Sequence, residues 1–247
     1  MAGAQGVPAF QWSEGALKVR GYLYQYWCDN GRGPTLRQVH EAIGFSREQI
    51  IAAYKELAFG EIVFDENSQN FYMLKCPPFS SMPTQVQVFI DGKFHSFAGC
   101  AMESVALSRM PPFKDKEVRL ESFCACCLKP ISLLMKNGEA LQKNPGTILI
   151  HVSKPLAEWG IPTVMPMCDS MNYVLDARHA ERYERMIGRR GVTFTIEQAR
   201  PFVKGVADNR MWDFHWTPGP MTPEKVGEHI HNQGVDMSNW EPGPVPE

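Results

Sequence analysis

The apolar residues change from helical to strand-like spacing near residue 60, and this change restricts the fold more than any other feature of the 247-residue chain. Before it, apolar residues recur at helical spacing over 17–28, and Thr35 and Ser46 are placed as N-caps of two further helices. Gln49 follows Ser46 by three residues, which is the capping-box pattern. The first 60 residues therefore predict three helices.

Two apolar runs at residues 62–64 and 71–74 follow these helices, and the polar turn between them predicts a β-hairpin. Three helices and a hairpin in this order are typical of a winged-helix domain. On the third helix, Arg47 and Lys55 are each followed by a glutamate, so its surface is nearly neutral, and the net charge of the chain is only −2. Because DNA affinity depends mainly on basic contacts to phosphate, we expect this domain to cover the rest of the protein and to bind no nucleic acid.

A β-rich region follows the run Cys76–Pro83, whose prolines break regular structure and predict a domain boundary. Apolar residues alternate over 86–90, and Asp91-Gly92 supplies the turn to a return strand that leads to Cys100. Further elements are predicted by the same criteria: strands over 118–123, 131–135, 147–152 and 192–195, a turn at Asn137-Gly138, a helix from Asp176 to Ile187, and a short helix after Thr195.

Together these elements predict an α+β fold in three parts. Residues 1–80 form an N-terminal winged-helix-like domain, and residues 81–210 form a second domain around a mixed, mostly antiparallel β-sheet with flanking helices. Residues 211–247 form a C-terminal extension that is predicted to wrap over the surface. In this extension His229 and His231 could ligate a metal from a strand, but two ligands are too few, so solvent-exposed histidines are favoured.

The cellular location is predicted from the cysteines and from the hydrophobic pattern. Seven cysteines at irregular spacing favour free thiols in a reducing compartment over a disulfide framework. No apolar run is long enough to span a bilayer, and the N-terminus lacks a basic region followed by an apolar stretch. We therefore expect a cytoplasmic protein that has no membrane partner.

Cys100 and Glu103 lie at the predicted junction between the return strand and a helix, three residues apart, so that both side chains can face one reactant. A thiol at a helix N-terminus is next to the positive end of the helix dipole, which should lower its pKa and favour the metal-binding thiolate. The pair indicates soft-metal chemistry with a carboxylate available for proton transfer. For an isolated C-x-x-E, a buried structural cysteine near a helix-stabilising acid is the more common explanation.

Cys168 lies between an apolar run and a polar one, which is typical of a strand end or turn at a cavity wall. Taken alone, it is best explained as a structural cysteine. Together with Cys100 it indicates a soft-metal site, because two thiolates hold a soft d10 cation well.

The run Cys124-Ala125-Cys126-Cys127 contains a C-x-x-C, but a strand follows it where a redox motif would require a helix. A structural zinc site would need a second cysteine pair, which the chain does not offer. We therefore expect a tight turn in which Cys124 is a buried packing thiol.

Three further stretches are informative when taken together: Phe97-Ala98-Gly99-Cys100-Ala101-Met102-Glu103, Val118-Arg119-Leu120-Glu121-Ser122-Phe123-Cys124 and Pro130-Ile131-Ser132-Leu133. They resemble the alkylmercury lyase (organomercurial lyase) family, and Cys168 fits the order of that family. The resemblance implies a winged-helix-like domain followed by a catalytic domain with a distinctive mixed sheet, which agrees with the order of elements above. Cys126, Cys127 and the C-terminal tail have no counterpart in it.

The resemblance also implies an activity and its residues. Cys100 and Cys168 fall on the two catalytic cysteines, Cys124 on a third cysteine of mainly structural importance, and Glu103 on a catalytic aspartate. The implied reaction is protonolysis of R-Hg⁺ to R-H and Hg(II), for detoxification, without any cofactor. The product Hg(II) would stay on Cys100 and Cys168, near Glu103, until low-molecular-weight thiols or a mercuric reductase remove it.

Two other functions are compatible with the same residues. One is a soft-metal binding or trafficking protein for mercury, copper or zinc that has the fold but no lyase activity, with Cys100, Cys168 and Cys126 as candidate ligands. The other is a winged-helix regulator that responds to metal. Repeated release of hydrocarbon would distinguish the enzyme from the carrier, and salt-dependent binding to duplex DNA would indicate the regulator.

Overall fold

The computed structural model describes residues 12–58, 62–155, 158, 168–207, 213 and 223–240. Its helices and antiparallel strands form an α+β fold, as the sequence predicts. The two ends of the chain, 1–11 and 241–247, lie outside the described residues. No helix in the described ranges is long and apolar enough to cross a membrane.

The helices and strands have the following bounds. The α-helices are α1 (Glu14–Asn30), α2 (Leu36–Ile43), α3 (Arg47–Leu57), α4 (Ala101–Ser104), α5 (Ala177–Ile187), α6 (Ile196–Ala207) and α7 (Pro223–His231). The strands are β1 (Val63–Phe64), β2 (Met73–Cys76), β3 (Phe79–Ser80), β4 (Gln87–Ile90), β5 (Lys93–Ala98), β6 (Val118–Phe123), β7 (Pro130–Lys136), β8 (Glu139–Asn144), β9 (Leu149–Val152), β10 (Met171–Val174) and β11 (Val192–Thr195).

The N-terminal helices begin where their capping residues predict. Thr35 and Ser46 each accept a hydrogen bond from the third backbone N–H of their helix, and the side-chain oxygens of Gln38 and Gln49 accept one from the backbone N–H of the cap. Both helices thus have complete capping boxes, which satisfy backbone donors that a helix cannot pair internally. The predicted hairpin of β1 and β2 is also confirmed.

The strands form an eight-stranded sheet in the order β1-β2-β3-β5-β4-β6-β7-β8 and a three-stranded sheet in the order β10-β9-β11. Each pairing in the described ranges is antiparallel, so the prediction of a mixed sheet is wrong there and its mostly antiparallel part is confirmed. The predicted turns are confirmed at Asp91-Gly92 and Asn137-Gly138, where all four residues have positive φ angles between 48° and 79°. Two consecutive residues with positive φ are typical of the tight hairpin turn that matches strand twist.

The predicted interruption of regular structure between Cys76 and Pro83 is correct at 77–78 and 81–83 but wrong at Cys76 and Phe79–Ser80. Strand β2 continues to Cys76, and Phe79–Ser80 form a short strand that pairs with both β2 and β5. The prolines fit because they lie in the connection between the two strands, where no ladder hydrogen bond is needed. The hairpin of the first 80 residues is therefore continuous with the main sheet.

Helix α1 packs directly on this junction. The rings of Trp27 and Phe79 are stacked with their centroids 5.5 Å apart, and the Tyr24 hydroxyl donates a 2.7 Å hydrogen bond to the Pro77 carbonyl. Trp27, Tyr24 and Phe79 are all fully buried. Helix α1 therefore covers the strand β3, which pairs with the strand that leads to Cys100.

The C-terminal extension is not only a surface wrap, because α7 is a helix that the sequence analysis did not predict. His229 and His231 lie at its end, half-buried and exposed respectively, so they are not on a strand. Residues two apart on a helix do not face each other, which makes this pair unsuited to share an ion. Near the end of the described chain, Trp240 donates a 3.0 Å hydrogen bond to the Val152 carbonyl of the smaller sheet.

Candidate active site

Strand β5 and helix α4 place Cys100 and Glu103 side by side. The chain leaves β5 at Ala98, the Gly99 N–H donates to the Pro78 carbonyl at 2.7 Å, and Cys100 then becomes the N-cap of α4. The Cys100 sulfur accepts a hydrogen bond from the Glu103 N–H at 3.4 Å. Both side chains are buried, since Cys100 is 4% and Glu103 is 9% exposed.

Cys168 joins this pair from a distant part of the sequence. The Sγ atoms of Cys100 and Cys168 and a carboxylate oxygen of Glu103 lie within 4.8 Å of one another. The Cys168 thiol donates a 3.5 Å hydrogen bond to Glu103 Oε2. The predicted proximity of the two cysteines is therefore confirmed, and one soft cation can contact both sulfurs.

The expected lowering of the Cys100 pKa is wrong. Burial raises the pKa of Cys100 well above its usual value, and the hydrogen bond with Cys168 and the charge of Glu103 raise it further. The N–H of Glu103 acts in the opposite direction but does not outweigh burial. Helix α4 has only four residues, so few aligned peptide dipoles offset the loss of water around a thiolate. Cys100 therefore holds its proton at neutral pH in the absence of metal.

A cavity of about 320 Å³ gives access to the thiols. Cys100 and Cys168 line it together with Lys75, Asp169 and Met171. Met171 Sδ lies 3.9 Å from Cys100 Sγ, where the thiol can donate to it. A small molecule that enters the cavity thus meets two thiols and a polarisable thioether, all of which are soft ligands.

Lys75 and Asp169 are the parts of the site that the sequence analysis missed. The Lys75 ammonium forms a 3.3 Å ion pair with Asp169 and donates to the Gly99 carbonyl at 3.5 Å, although its side chain is only 2% exposed. The sequence did contain a signal for Lys75. Side chains two apart on a strand point to the same side, so Lys75 lies on the same buried face as Met73. A buried cation of this kind needs a partner, and Asp169 supplies it.

Gly99 leaves the space that the Glu103 carboxylate occupies. A Cβ added at Gly99 would lie 2.2 Å from Glu103 Oε2 and 3.4 Å from its Cδ. Any larger residue would displace the carboxylate. The glycine before Cys100 therefore sets the position of the acid.

A polar contact behind the site holds α4 on strand β10. The Ser104 hydroxyl donates to the Ala101 carbonyl at 2.7 Å and lies 2.8 Å from the Tyr173 hydroxyl. Since the Ser104 hydroxyl proton is already used, Tyr173 is the donor in the second hydrogen bond. This pair connects the helix that carries Cys100 to the strand that carries Met171.

Cys124, Cys126 and Cys127 lie in the turn between β6 and β7 and form a separate group. Cys124 is fully buried, which agrees with the predicted packing role. The turn itself is confirmed, because the Cys124 carbonyl accepts from the N–H groups of Cys127 and Leu128 at 3.3 and 2.9 Å.

Two buried thiols at a cavity wall, with a carboxylate oxygen within 4.8 Å of them, form a donor set that can bind a soft metal ion, and an α+β fold carries them. The family model for alkylmercury lyase, MerB, matches residues 79–207, slightly more than half of the chain, which include Cys100, Glu103 and Cys168. The chain therefore belongs to the alkylmercury lyase family and is a carbon–mercury lyase.

The fold is also similar to that of a solved family structure. A crystal structure described as the mercury-bound form of MerB2 has a TM-score of 0.64 and 21% sequence identity, and the match covers 83% of this chain and 94% of that one. The match extends over the α+β architecture with its large antiparallel sheet. Comparison with curated protein sequences finds no significant match.

Proposed function

We propose that Cys100 and Cys168 bind the mercury atom of R-Hg⁺ and that Glu103 transfers a proton to the carbon that leaves. The observation that carries this proposal is the convergence of two thiol sulfurs and a carboxylate oxygen within 4.8 Å. The three side chains come from two segments 65 residues apart, and the 3.5 Å contact of Cys168 with Glu103 connects them.

Because its pKa is raised, Cys100 enters the reaction as a thiol, and its proton must be accounted for. Two thiols and R-Hg⁺ give R-H, a mercury ion bonded to two sulfurs, and one H⁺. One thiol proton therefore ends on carbon and the other leaves the site. Metal binding displaces thiol protons, because the bound ligand is the thiolate.

Glu103 receives one of these protons because its Oε2 already accepts the Cys168 hydrogen bond. In its protonated form it is a carboxylic acid beside the mercury-bound carbon. Two sulfur ligands push electron density onto that carbon and make it more basic, so a nearby acid can protonate it as the carbon–mercury bond breaks. The mercury with R and two thiolates carries a charge of −1, which the ammonium of Lys75 in the cavity wall offsets.

Replacement of Glu103 by Gln tests the proton transfer. The amide has no acidic proton at neutral pH, so Glu103→Gln should still bind the organomercurial on its cysteines but stall before cleavage. The measurement is hydrocarbon released per protein from phenylmercury or methylmercury in excess thiol, with mercury bound per protein measured in parallel. Glu103→Asp is the matched control, since it keeps the acid and should retain activity. Wild-type turnover by the Gln variant would exclude the role of Glu103.

The same experiment separates the enzyme from a metal carrier. Many equivalents of hydrocarbon released in excess thiol require an enzyme, while a carrier would bind about one equivalent of organomercurial and release nothing. We also propose that low-molecular-weight thiols or a mercuric reductase accept the Hg(II), and that no cofactor takes part. Both the role of the thiols and the absence of a cofactor are tested by incubating metal-free, dialysed protein with only the organomercurial and thiol. Steady turnover is the expected result.

The location and the N-terminal part complete the proposal. We assign the enzyme to the cytoplasm, supported by seven cysteines that form no disulfide in the described ranges.

We further propose that residues 1–80 are a winged-helix-like domain that covers the catalytic domain of residues 81–210, with 211–247 as an extension. The contacts of Arg47 support a structural role, because its guanidinium donates to the Gln69 carbonyl at 3.0 Å and lies 5.5 Å from the Phe71 ring centroid.

A further inference from the structure

The turn between β6 and β7 brings three sulfur atoms together outside the active site. The Sγ atoms of Cys124, Cys126 and Cys127 lie within 4.8 Å of one another, and those of Cys124 and Cys126 are 3.9 Å apart. Sulfurs that share one ion with bonds of about 2.3 Å lie about 4 Å apart. The three thiols are therefore spaced as ligands of a single ion, and they share no residue with the group of Cys100 and Cys168.

The backbone holds this turn in place without any metal. The Cys124 N–H donates to the Lys129 carbonyl at 2.8 Å, and the Cys124 carbonyl accepts from Cys127 and Leu128. The Ala125 N–H donates to the Tyr173 carbonyl at 2.9 Å, which attaches the turn to β10. Such a site loses little conformational freedom on binding, because its ligands are already in position.

The three thiols differ in exposure. Cys124 and Cys126 are 0% and 6% exposed, while Cys127 is half-buried and forms the open side of the group. An entering cation thus meets the Cys127 sulfur first.

The charge of the complex also suits its surroundings. A divalent cation with three thiolates carries a net charge of −1, and the positive charge of Lys129 acts on the Cys127 sulfur. Among the described residues, no histidine, aspartate or glutamate belongs to the group, so the donor set is entirely sulfur. Thiolate donors select soft cations over hard ones such as Mg²⁺ and Ca²⁺.

We propose that Cys124, Cys126 and Cys127 form a second metal site, which binds one soft d10 cation through three thiolates and takes Hg(II), the ion that the reaction of this family releases. Binding forms three sulfur–metal bonds and releases the thiol protons to solvent, with no change of oxidation state. The inference uses only the family's release of Hg(II), and it does not depend on the catalytic roles proposed for Cys100, Glu103 and Cys168.

The test is the stoichiometry and coordination of Hg(II) in two complementary variants. Reduced full-length protein is titrated with Hg(II) in excess monothiol, desalted, and measured for mercury per protein. We expect two ions on the wild type, one on the Cys100→Ser/Cys168→Ser variant, and one on the variant with serine at 124, 126 and 127. The ion held by the Cys100→Ser/Cys168→Ser variant should have three sulfur neighbours by X-ray absorption.

Controls address folding and the remaining cysteines. Because Cys124 is buried, Cys127→Ala in the Cys100→Ser/Cys168→Ser background provides a milder change, which should remove the three-sulfur signature while circular dichroism stays unchanged. Cys28→Ala in the same background should leave one ion with three sulfurs. The proposal is overturned if the Cys100→Ser/Cys168→Ser variant binds no Hg(II), if Cys127→Ala leaves three sulfurs around the ion, or if two of the three thiols are oxidised to a disulfide in reduced protein.

Discussion

Substitution of Gly99 by Ala tests whether the position of the Glu103 carboxylate, and not only its presence, controls the reaction. The added Cβ would lie 2.2 Å from Glu103 Oε2, whereas ordinary contact begins at 3.4 Å, so the oxygen must move by about 1.2 Å. The backbone cannot easily move instead, because the Gly99 N–H is bonded to Pro78. Misplacement of a reacting group by about 1 Å can cost about 100-fold in rate, equivalent to about 2.7 kcal/mol of activation free energy.

The assay for Gly99→Ala is kcat for hydrocarbon release in excess thiol, together with mercury bound per protein. We expect kcat to fall on the order of 100-fold while binding persists, because both thiols remain. Gly146→Ala is the matched control, since a Cβ there meets nothing within 4 Å. Its kcat should stay at the wild-type value.

A second substitution makes the prediction more specific. Aspartate is one methylene shorter than glutamate, so Glu103→Asp in the Gly99→Ala background should relieve the clash and recover part of the lost rate. The two changes should then be non-additive by more than about 0.5 kcal/mol, as is usual for residues in contact. The reasoning is refuted if Gly99→Ala has wild-type kcat in a crystal form that shows the carboxylate displaced, or if the two substitutions are additive.

Three further predictions concern individual cysteines. Serine at Cys100 or at Cys168 should each abolish turnover while the circular dichroism spectrum is kept, and measurable multiple turnover by either variant would contradict the two-thiol mechanism. In metal-free protein, Cys124→Ser should lower the free energy of unfolding by about 1–3 kcal/mol in a urea titration, because it buries a hydroxyl in place of a thiol, whereas Cys127→Ser should change it by less than about 0.5 kcal/mol. Burial raises the pKa of Cys28 to about 12, so above about pH 9 the unfolded chain loses a proton that the folded protein keeps. Because of this thiol, the unfolding free energy should therefore fall between pH 9 and 10.5 with a slope that approaches about 1.4 kcal/mol per pH unit, and Cys28→Ala should remove that part of the slope.

Much of the fold was predicted correctly from local signals, because helix caps and tight turns depend on interactions among a few adjacent residues. The capping boxes at Thr35 and Ser46 and the turns at Asp91-Gly92 and Asn137-Gly138 are confirmed for this reason. Strand β8 was missed because most of its residues are exposed, so it has no apolar alternation. Strand β3 was missed because it has only two residues and lies between prolines. Its residues form a strand because they pair with β2 and β5.

The site could be predicted only in part, because its decisive properties depend on tertiary contacts. Nothing in the spacing of Cys100 and Cys168 indicates that they meet, and the resemblance to a family supplied that expectation. The sign of the Cys100 pKa shift was predicted wrongly because burial, which dominates it, is not visible in a short motif. Lys75 was missed because its partners are the Gly99 carbonyl and Asp169, which come from other segments.

The pKa of Cys100 and the pKa of Cys127 are shifted in opposite directions, which suits the opposite demands of the two events that we assign to the two sulfur groups. Protonolysis consumes a proton at the place where carbon leaves, and a thiol such as Cys100, whose burial keeps it protonated, brings that proton into the site with the ligand. Capture of Hg(II) consumes no proton and is favoured by a sulfur that gives up its own proton readily. The lowered pKa and the partial exposure of Cys127 act in that direction. Lowering the pH from 8 to 6 should therefore weaken Hg(II) binding at the turn more than it slows cleavage at Cys100, because protons compete with the metal for the sulfurs of the turn.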